Sequence, residues 1–312
     1  MRHLFSHSVY QDASVFGYDL GSTLSRIGCD GLELLTSHTM EGEAYLPYTE
    51  TVHLPFAHDW LAAWEGRPYD MPDDSVPYLM FGRTRDEVVQ RVSEDIMIAS
   101  AFSPTHGVMH ASNVSLCDVW RRTYSDDSRH VIRSFCEMMN TVVGSMPGGE
   151  PPFRLAFENL WWPGLRLSDE SDYRLLESNL EFEDWCICLD TGHLMNLLPD
   201  IYTEKDGVDA LLDIFYGYSR DLVERIRAIH FHYSASYGYR STFEERSMDC
   251  DAVSFIGSAY PHVSMIDQHL PFSEPRCVEI LDVLEPDIVV HELPGNEKGP
   301  LEDFVKQRTL IG

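Results

Sequence analysis

Five histidines, His53, His110, His193, His230 and His269, and four carboxylates fall where apolar runs of this 312-residue chain end, in the segments Thr-Val-His53-Leu-Pro, Val-Met-His110-Ala-Ser, Phe-Glu158-Asn, Asp190-Thr-Gly-His193, Ala-Ile-His230-Phe-His232, Asp267-Gln-His269 and Val-His-Glu292-Leu. Imidazole nitrogen and carboxylate oxygen in that mixture are a ligand inventory for zinc or a similar divalent ion. Asp190 and His193, three apart across a strand end, can diverge toward two neighbouring ions, and Glu158 has two oxygens with which to bridge a pair. Ions about 3.5–4 Å apart clamp a substrate oxygen and bring the pKa of a water between them toward neutrality. That is hydrolytic equipment, and the chain reads as a metalloenzyme.

Residues so far apart converge only if the elements between them bring them to one place. Strand and helix signals alternate throughout, which predicts a parallel sheet with crossover helices. Strands are expected at 4–9, 31–35, 51–54, 108–111, 153–157, 185–189, 228–232 and 288–291, with helices at 20–27, 83–102, 126–143, 171–178, 208–224 and 274–284. Eight such units make one α/β domain over 1–312, a (β/α)8 TIM barrel whose strand C-termini carry the site. Residues 56–81, after strand 3, have no clear period and read as an insertion over the mouth. Residues 234–270, after strand 7, read as a long loop that carries Asp267 and His269.

Composition narrows the partners. The chain has 51 Asp and Glu against 23 Lys and Arg, a formal charge of −28, which argues against a polyanionic partner such as nucleic acid and for a small-molecule substrate. No apolar run reaches the ~18 residues of a membrane span, and the opening Met-Arg-His-Leu-Phe-Ser-His-Ser lacks signal-peptide features, so a cytoplasmic location is expected. Seven cysteines without zinc-ribbon spacing read as reduced thiols, with Cys186 and Cys188 packing on one strand face. Oligomerisation is left open.

Taken in order, these segments resemble the xylose-isomerase-like barrel superfamily, which includes sugar isomerases and epimerases and the endonuclease IV family. Asp190-Thr-Gly-His193 is similar to the family's D-x-x-H motif, and Phe157-Glu158-Asn159 to its strand-five metal glutamate. Asp267-Gln-His269 resembles the third-metal element of endonuclease IV, which four-ligand isomerases generally lack. The resemblance implies one ion held by His53, His110 and Glu158, a second by Glu158, Asp190, His230 and Glu292, and a third by His193, Asp267 and His269. Zn2+ is the implied cofactor, two or three ions, with Mn2+ or another divalent metal as the alternative. One departure is His232, where the endonuclease family tends to have Asn. It is a candidate ligand or catalytic group beside Glu158 and Glu292.

Trp161 and Trp162 are either a stacking wall for a substrate ring or an apolar plug. Tyr239 and Arg240 are candidates for binding an anionic group, in a loop that otherwise reads as mobile surface. Basic residues near the mouth are scarce, with Arg240, Arg246 and Lys298 as the candidates, and Glu33 is either a supporting carboxylate or a solvated one. The expected activity is hydrolysis of a small-molecule phosphodiester, a class that among endonuclease-IV-like relatives includes cobamides. The alternative is a sugar or sugar-phosphate isomerase or epimerase using Glu158 and Glu292 as acid and base. Abasic-site DNA cleavage ranks below both.

Overall fold

Parallel strands need long connections that return the chain to the same end, and the helical segments between the apolar runs supply them. The computed structural model describes residues 1–68, 79–246, 251–295 and 299–312. Its eight parallel strands close in sequence order: β1 Arg2–Ser8, β2 Gly31–Leu35, β3 Thr49–His53, β4 His106–His110, β5 Arg154–Glu158, β6 Trp185–Asp190, β7 Ile226–His230 and β8 Ile288–His291. Pairing of β1 with both β2 and β8 completes the ring. The helices are α1 Leu20–Ile27, α2 Leu61–Trp64, α3 Arg85–Ser100, α4 Ser128–Gly144, α5 Ser171–Asn179, α6 Thr191–Met195, α7 Glu204–Phe215, α8 Arg220–Arg225, α9 Tyr237–Arg240, α10 Ala252–Ile266, α11 Val278–Leu284 and α12 Pro300–Ile311.

Helix starts follow local chemistry. Asp19, Thr84, Asp127, Ser219 and Asp251 each accept a hydrogen bond from an orphan N–H of the first turn, and Thr203 forms a reciprocal capping box with Asp206. The main apolar core lies between strands and helices, and a smaller group fills the barrel: Leu4, Val108, Ala156, Cys186, Cys188, Ala228, Ile288 and Val290. That inner layer aligns the site. Side chains alternate along a strand, so the residue two beyond Val108 is His110, beyond Ala156 Glu158, beyond Cys188 Asp190, beyond Ala228 His230 and beyond Val290 Glu292. Each is the next inward-facing position after an apolar one.

Several expectations need correction. The single helix expected over 208–224 is two, α7 and α8, because Ser219 starts a new helix by accepting from the Leu222 N–H. The loop expected over 234–270 contains α9 and the 15-residue α10, whose buried Phe255, Ala259, His262 and Ile266 form a stripe interrupted in sequence by Gly257 and Pro261. The C-terminal α12 has no counterpart among the expected helices, although Phe304, Gln307 and Ile311 bury one face of it. β7 ends at His230, so His232 lies beyond the strand. Of the insertion, Trp60 and Leu61 are pinned through their N–H groups to Asn113 Oδ1, and Leu79 and Met80 join a second apolar cluster with Trp120, Trp161, Trp162 and Phe255. Asp70, Asp73 and Asp74 of the insertion, and Lys298, lie outside the described residues.

Candidate metal centre

Strand register sets the first contacts. Glu158 pairs with His110 across β4 and β5, and Asp190 with His230 across β6 and β7. Glu158 Oε2 is 3.2 Å from both His53 Nε2 and His110 Nε2, while its Oε1 is 3.0 Å from His230 Nδ1 and 3.4 Å from His193 Nδ1. Glu158 thus has two imidazoles at each of its carboxylate oxygens. His230 Nδ1 also lies 3.7 Å from Asp190 Oδ2 and 3.5 Å from Glu292 Oε2, so the four side chains assigned to a second ion meet around one ring nitrogen. Asp267 Oδ2 sits 3.1 Å from His193 Nε2 and 2.6 Å from His269 Nε2. Within each of the sets His53-His110-Glu158 and His193-Asp267-His269, donor atoms lie within 4.8 Å of one another.

The spacing of D-x-x-H has a local cause. Asp190 is the N-cap of α6, its Oδ1 accepting from the His193 backbone N–H at 2.6 Å, which leaves Oδ2 for the centre. Asn159 ties β5 to β6 by accepting from the Asp190 N–H at 2.8 Å and donating to the Asp190 carbonyl at 3.0 Å.

The outer faces of the histidines decide how the inner faces behave. Nδ1 of His53, His193 and His269 lies against the carbonyls of Leu54, Asn159 and Glu292 at 2.8, 2.9 and 3.0 Å. A carbonyl only accepts, so each Nδ1 carries the proton and Nε2 turns inward with its lone pair. His230 is reversed: its Nε2 lies 2.8 Å from Glu33 Oε1, a charge contact without hydrogen-bond alignment, and its Nδ1 faces the centre. Outer-side partners of this kind orient metal-binding histidines. Glu33 is fully buried and accepts from Thr51 Oγ1 at 2.9 Å, so it is a supporting carboxylate, not a solvated one.

Charge provides a second test of fit. Glu33, Glu158 and Asp190 are 0–1% exposed and Asp267 and Glu292 are partly buried, yet among the described residues their ion-pair partners are histidines and neither Lys nor Arg. Buried carboxylates in such number are costly without cations. With no metal present, that burden falls on the imidazoles. Burial opposes their protonation and holds His110 below the ordinary imidazole value, but elsewhere the surrounding carboxylates overcome it, raising His53, lifting His193 and His230 well above that value, and His269 to about 9. Burial would likewise raise Glu158, Asp190 and Asp267, and the histidines instead hold all three below the ordinary carboxylate range. Bound cations take over the role of these protons. The residues present fit divalent metal.

His232, fully buried, donates from Nε2 to Asp190 Oδ2 at 2.8 Å and stacks on His269 with ring centroids 4.0 Å apart. It also groups with His269 and Glu292 as donors that an ion could share. Trp162 is buried against His58, and Trp161 packs its ring 5.1 Å from that of His193. The Tyr239 hydroxyl is 2.8 Å from His262 Nδ1, within the loop cluster. Arg240 instead lines a pocket beside Trp161, together with Arg121, Arg122 and Arg166. The scarcity of basic residues at the mouth is thus corrected, because three arginines from the loops after β4 and β5 join the one expected after β7. Arg246 lies over the Trp120 ring.

No family model and no curated protein matches the sequence. Solved structures match it over their whole length. Endonuclease IV from Thermus thermophilus aligns with TM-score 0.55 and 12% identity, covering 100% of this chain and 99% of its own. L-ribulose 3-epimerase gives TM-score 0.55 at 11% identity with coverage of 100% and 94%, and a probable 3-DHS dehydratase from Bacillus anthracis gives 0.52 at 12% with 99% of both chains covered. At that identity the likeness is one of fold, and it spans hydrolase, epimerase and dehydratase. The chain therefore shares with these enzymes a closed (β/α)8 barrel fold, as its alternating strand and helix segments led us to expect.

Proposed function

We propose that this protein is a divalent-metal-dependent hydrolase that cleaves a phosphodiester in a small molecule. The nine positions His53, His110, Glu158, Asp190, His193, His230, Asp267, His269 and Glu292 would hold two or three ions. The observation that carries this reading is the tight His193-Asp267-His269 set, which hydrolysis uses for a leaving oxygen and epimerisation leaves idle. Zinc suits the mixed imidazole and carboxylate donors, with manganese as the alternative. Bound there, the ions would supply Lewis acidity toward a phosphoryl oxygen and make a water nucleophilic near neutral pH.

The chain's own groups do the rest. Glu158, pinned between four imidazoles, keeps the sets at fixed separation. Ser6 Oγ donates to Glu292 Oε1 at 3.1 Å, holding at the mouth a carboxylate able to accept a proton from an incoming water. His232 holds Asp190 Oδ2 in place, a positioning role.

A sugar epimerase remains the second reading, favoured by the approach of Glu158 and Glu292 to His230 Nδ1 at 3.0 and 3.5 Å, two carboxylates able to serve a carbon between them. Metal content by mass spectrometry, combined with cleavage of bis(4-nitrophenyl) phosphate by wild type and Asp267→Ala, separates the two. Hydrolysis predicts about three ions, loss of one in the variant and a fall in cleavage of about 100-fold or more. A single ion and an indifferent variant would overturn the hydrolase reading.

A further inference from the structure

The arginine-lined pocket reverses the charge balance of the molecule. Four arginines, Arg121, Arg122, Arg166 and Arg240, face a space of about 520 Å3 in which, among the described residues, Asp126 is the one lining carboxylate. Elsewhere acidic residues outnumber basic ones by more than two to one. Asp126 is engaged away from that excess, accepting from Asn113 Nδ2 at 3.1 Å and lying 3.7 Å from Arg67. Arg121 and Arg122 share Glu245 at 3.8 and 3.6 Å.

Arg166 and Arg240 differ from that pair, because among the described residues their guanidiniums form no ion pair and donate to neutral oxygens, although the backbone N–H of Arg166 donates to Asp172 Oδ2 at 3.0 Å and its charge is felt by that carboxyl. Arg166 donates from Nε to the Trp162 carbonyl at 3.3 Å, and Arg240 donates to Ser236 Oγ at 3.0 Å and the Leu198 carbonyl at 2.7 Å. Each retains guanidinium N–H groups. Both guanidiniums also act on the Tyr124 phenol, which lines the same pocket. Arg166 is fixed by its loop: an antiparallel bridge joins Gly164 to Ser112, where φ of +133° and the Ala111 carbonyl, 2.3 Å from where a Cβ would stand, admit glycine.

Trp161 and Asn196, 5% and 2% exposed, line the same pocket, and their Nε1 and Nδ2 atoms, enclosed in this conformation, have no hydrogen-bond partner among the described residues. Four guanidiniums around one cavity, two of them half-buried and without an ion pair among the described residues, ask for an acceptor-rich anion. Location completes the argument. Trp161 packs on His193, and the lining residue Ile266 immediately precedes Asp267, so the pocket adjoins the His193-Asp267-His269 set.

We propose that this pocket binds a phosphate monoester group of the substrate, gripped by Arg166 and Arg240, while the scissile bond lies at the metal centre. The placement of the scissile bond rests on the hydrolase reading; the anion site does not. A phosphate fills a fraction of the volume, leaving room for an organic portion against Trp161 and Phe243. The substrate class is then a small phosphodiester that carries a second, terminal phosphate.

Inorganic phosphate is the probe, titrated into wild type, Arg166→Gln, Arg166→Lys and Arg240→Gln and read by tryptophan fluorescence, with thermal melts confirming that each is folded. The expected result is at least tenfold weaker binding in Arg166→Gln, partial recovery in Arg166→Lys, and the same ranking after chelator treatment. Arg220→Gln, on the surface helix α8, should bind as wild type does. Phosphate binding that ignores Arg166→Gln, or that vanishes with the metal, overturns the site; acetate binding as tightly as phosphate overturns the phosphate assignment. If the protein proves to bind no metal and cleave no diester, the hydrolase reading fails while the chelator-treated titration still reads the pocket.

Discussion

Glu33 shows how one carboxylate without access to substrate can govern a centre. It is sealed inside the barrel, takes a hydrogen bond from Thr51 and stands 2.8 Å from the outer nitrogen of His230. Its charge turns His230 Nδ1 inward, so Glu33→Gln, nearly the same shape without the charge, should weaken metal affinity about 10- to 100-fold. Competition with a chromophoric chelator measures this, and wild-type affinity in the variant would refute it. A different pair, away from the site, sets an acid limit. Gln307 Nε2 donates to His291 Nδ1 at 2.8 Å, so His291 carries its proton on Nε2 and donates to His3 Nδ1 at 3.2 Å. Both rings are neutral: burial, helped by Arg308, brings His3 down to about 4, and burial with His3 and Arg308 holds His291 well below the ordinary value. Between about pH 6.5 and 4 the unfolded chain binds more protons than the folded one, so this contribution is complete above that window and is lost as pH falls through it. Melts in chelator from pH 7 to 4.5 should therefore fall less steeply in His3→Gln than in wild type, and parallel profiles would dismiss the pair as a source of acid sensitivity.

Elements carry the site through their ends, and the short helix α6 is the clearest case. Its Gly192 leaves space for the imidazole of His232: a Cβ there would stand 2.3 Å from His232 Cε1 and 2.5 Å from Nδ1. Gly192→Ala must push the ring off Asp190, which should cost about 1–3 kcal/mol of stability and reduce metal uptake together. Retention of both by the variant would show that His232 does not hold Asp190. The Asp190-Thr-Gly-His193 spacing was legible because it obeys capping as well as ligation. The strands were legible for a related reason, each ending its apolar run at a polar inward-facing residue such as His110, Glu158 or Asp190. The helix α10 was not, since Gly257 and Pro261 break its pattern and its apolar face is buried by loop residues such as Trp120, a tertiary partner the linear sequence does not reveal. Arg166 and Tyr124 were missed for the same kind of reason. They sit in loops after different strands, and only the closed barrel sets them beside Arg240.

At the scale of the whole molecule, 51 acidic against 23 basic side chains leave few cations for the interior, and among the described residues none of them pairs with the carboxylates at the barrel mouth. On the proposed reading, divalent ions would be the charges that make the barrel mouth stable as well as reactive. A ligand that binds only the folded state at 100 times its dissociation constant adds about 2.7 kcal/mol. For a chain of this length that is worth roughly 5 °C in Tm. Exhaustive chelation should therefore lower Tm by about 5 °C or more, and stoichiometric zinc or manganese should restore it. Sodium chloride at about 1 M distinguishes this from general relief of surface repulsion, because mobile ions screen exposed charges far better than the buried set around Glu158 and Asp190. A chelated protein that melts with the untreated one, or that salt alone rescues, would mean that the carboxylates at the mouth are balanced by protonated histidines and not by metal.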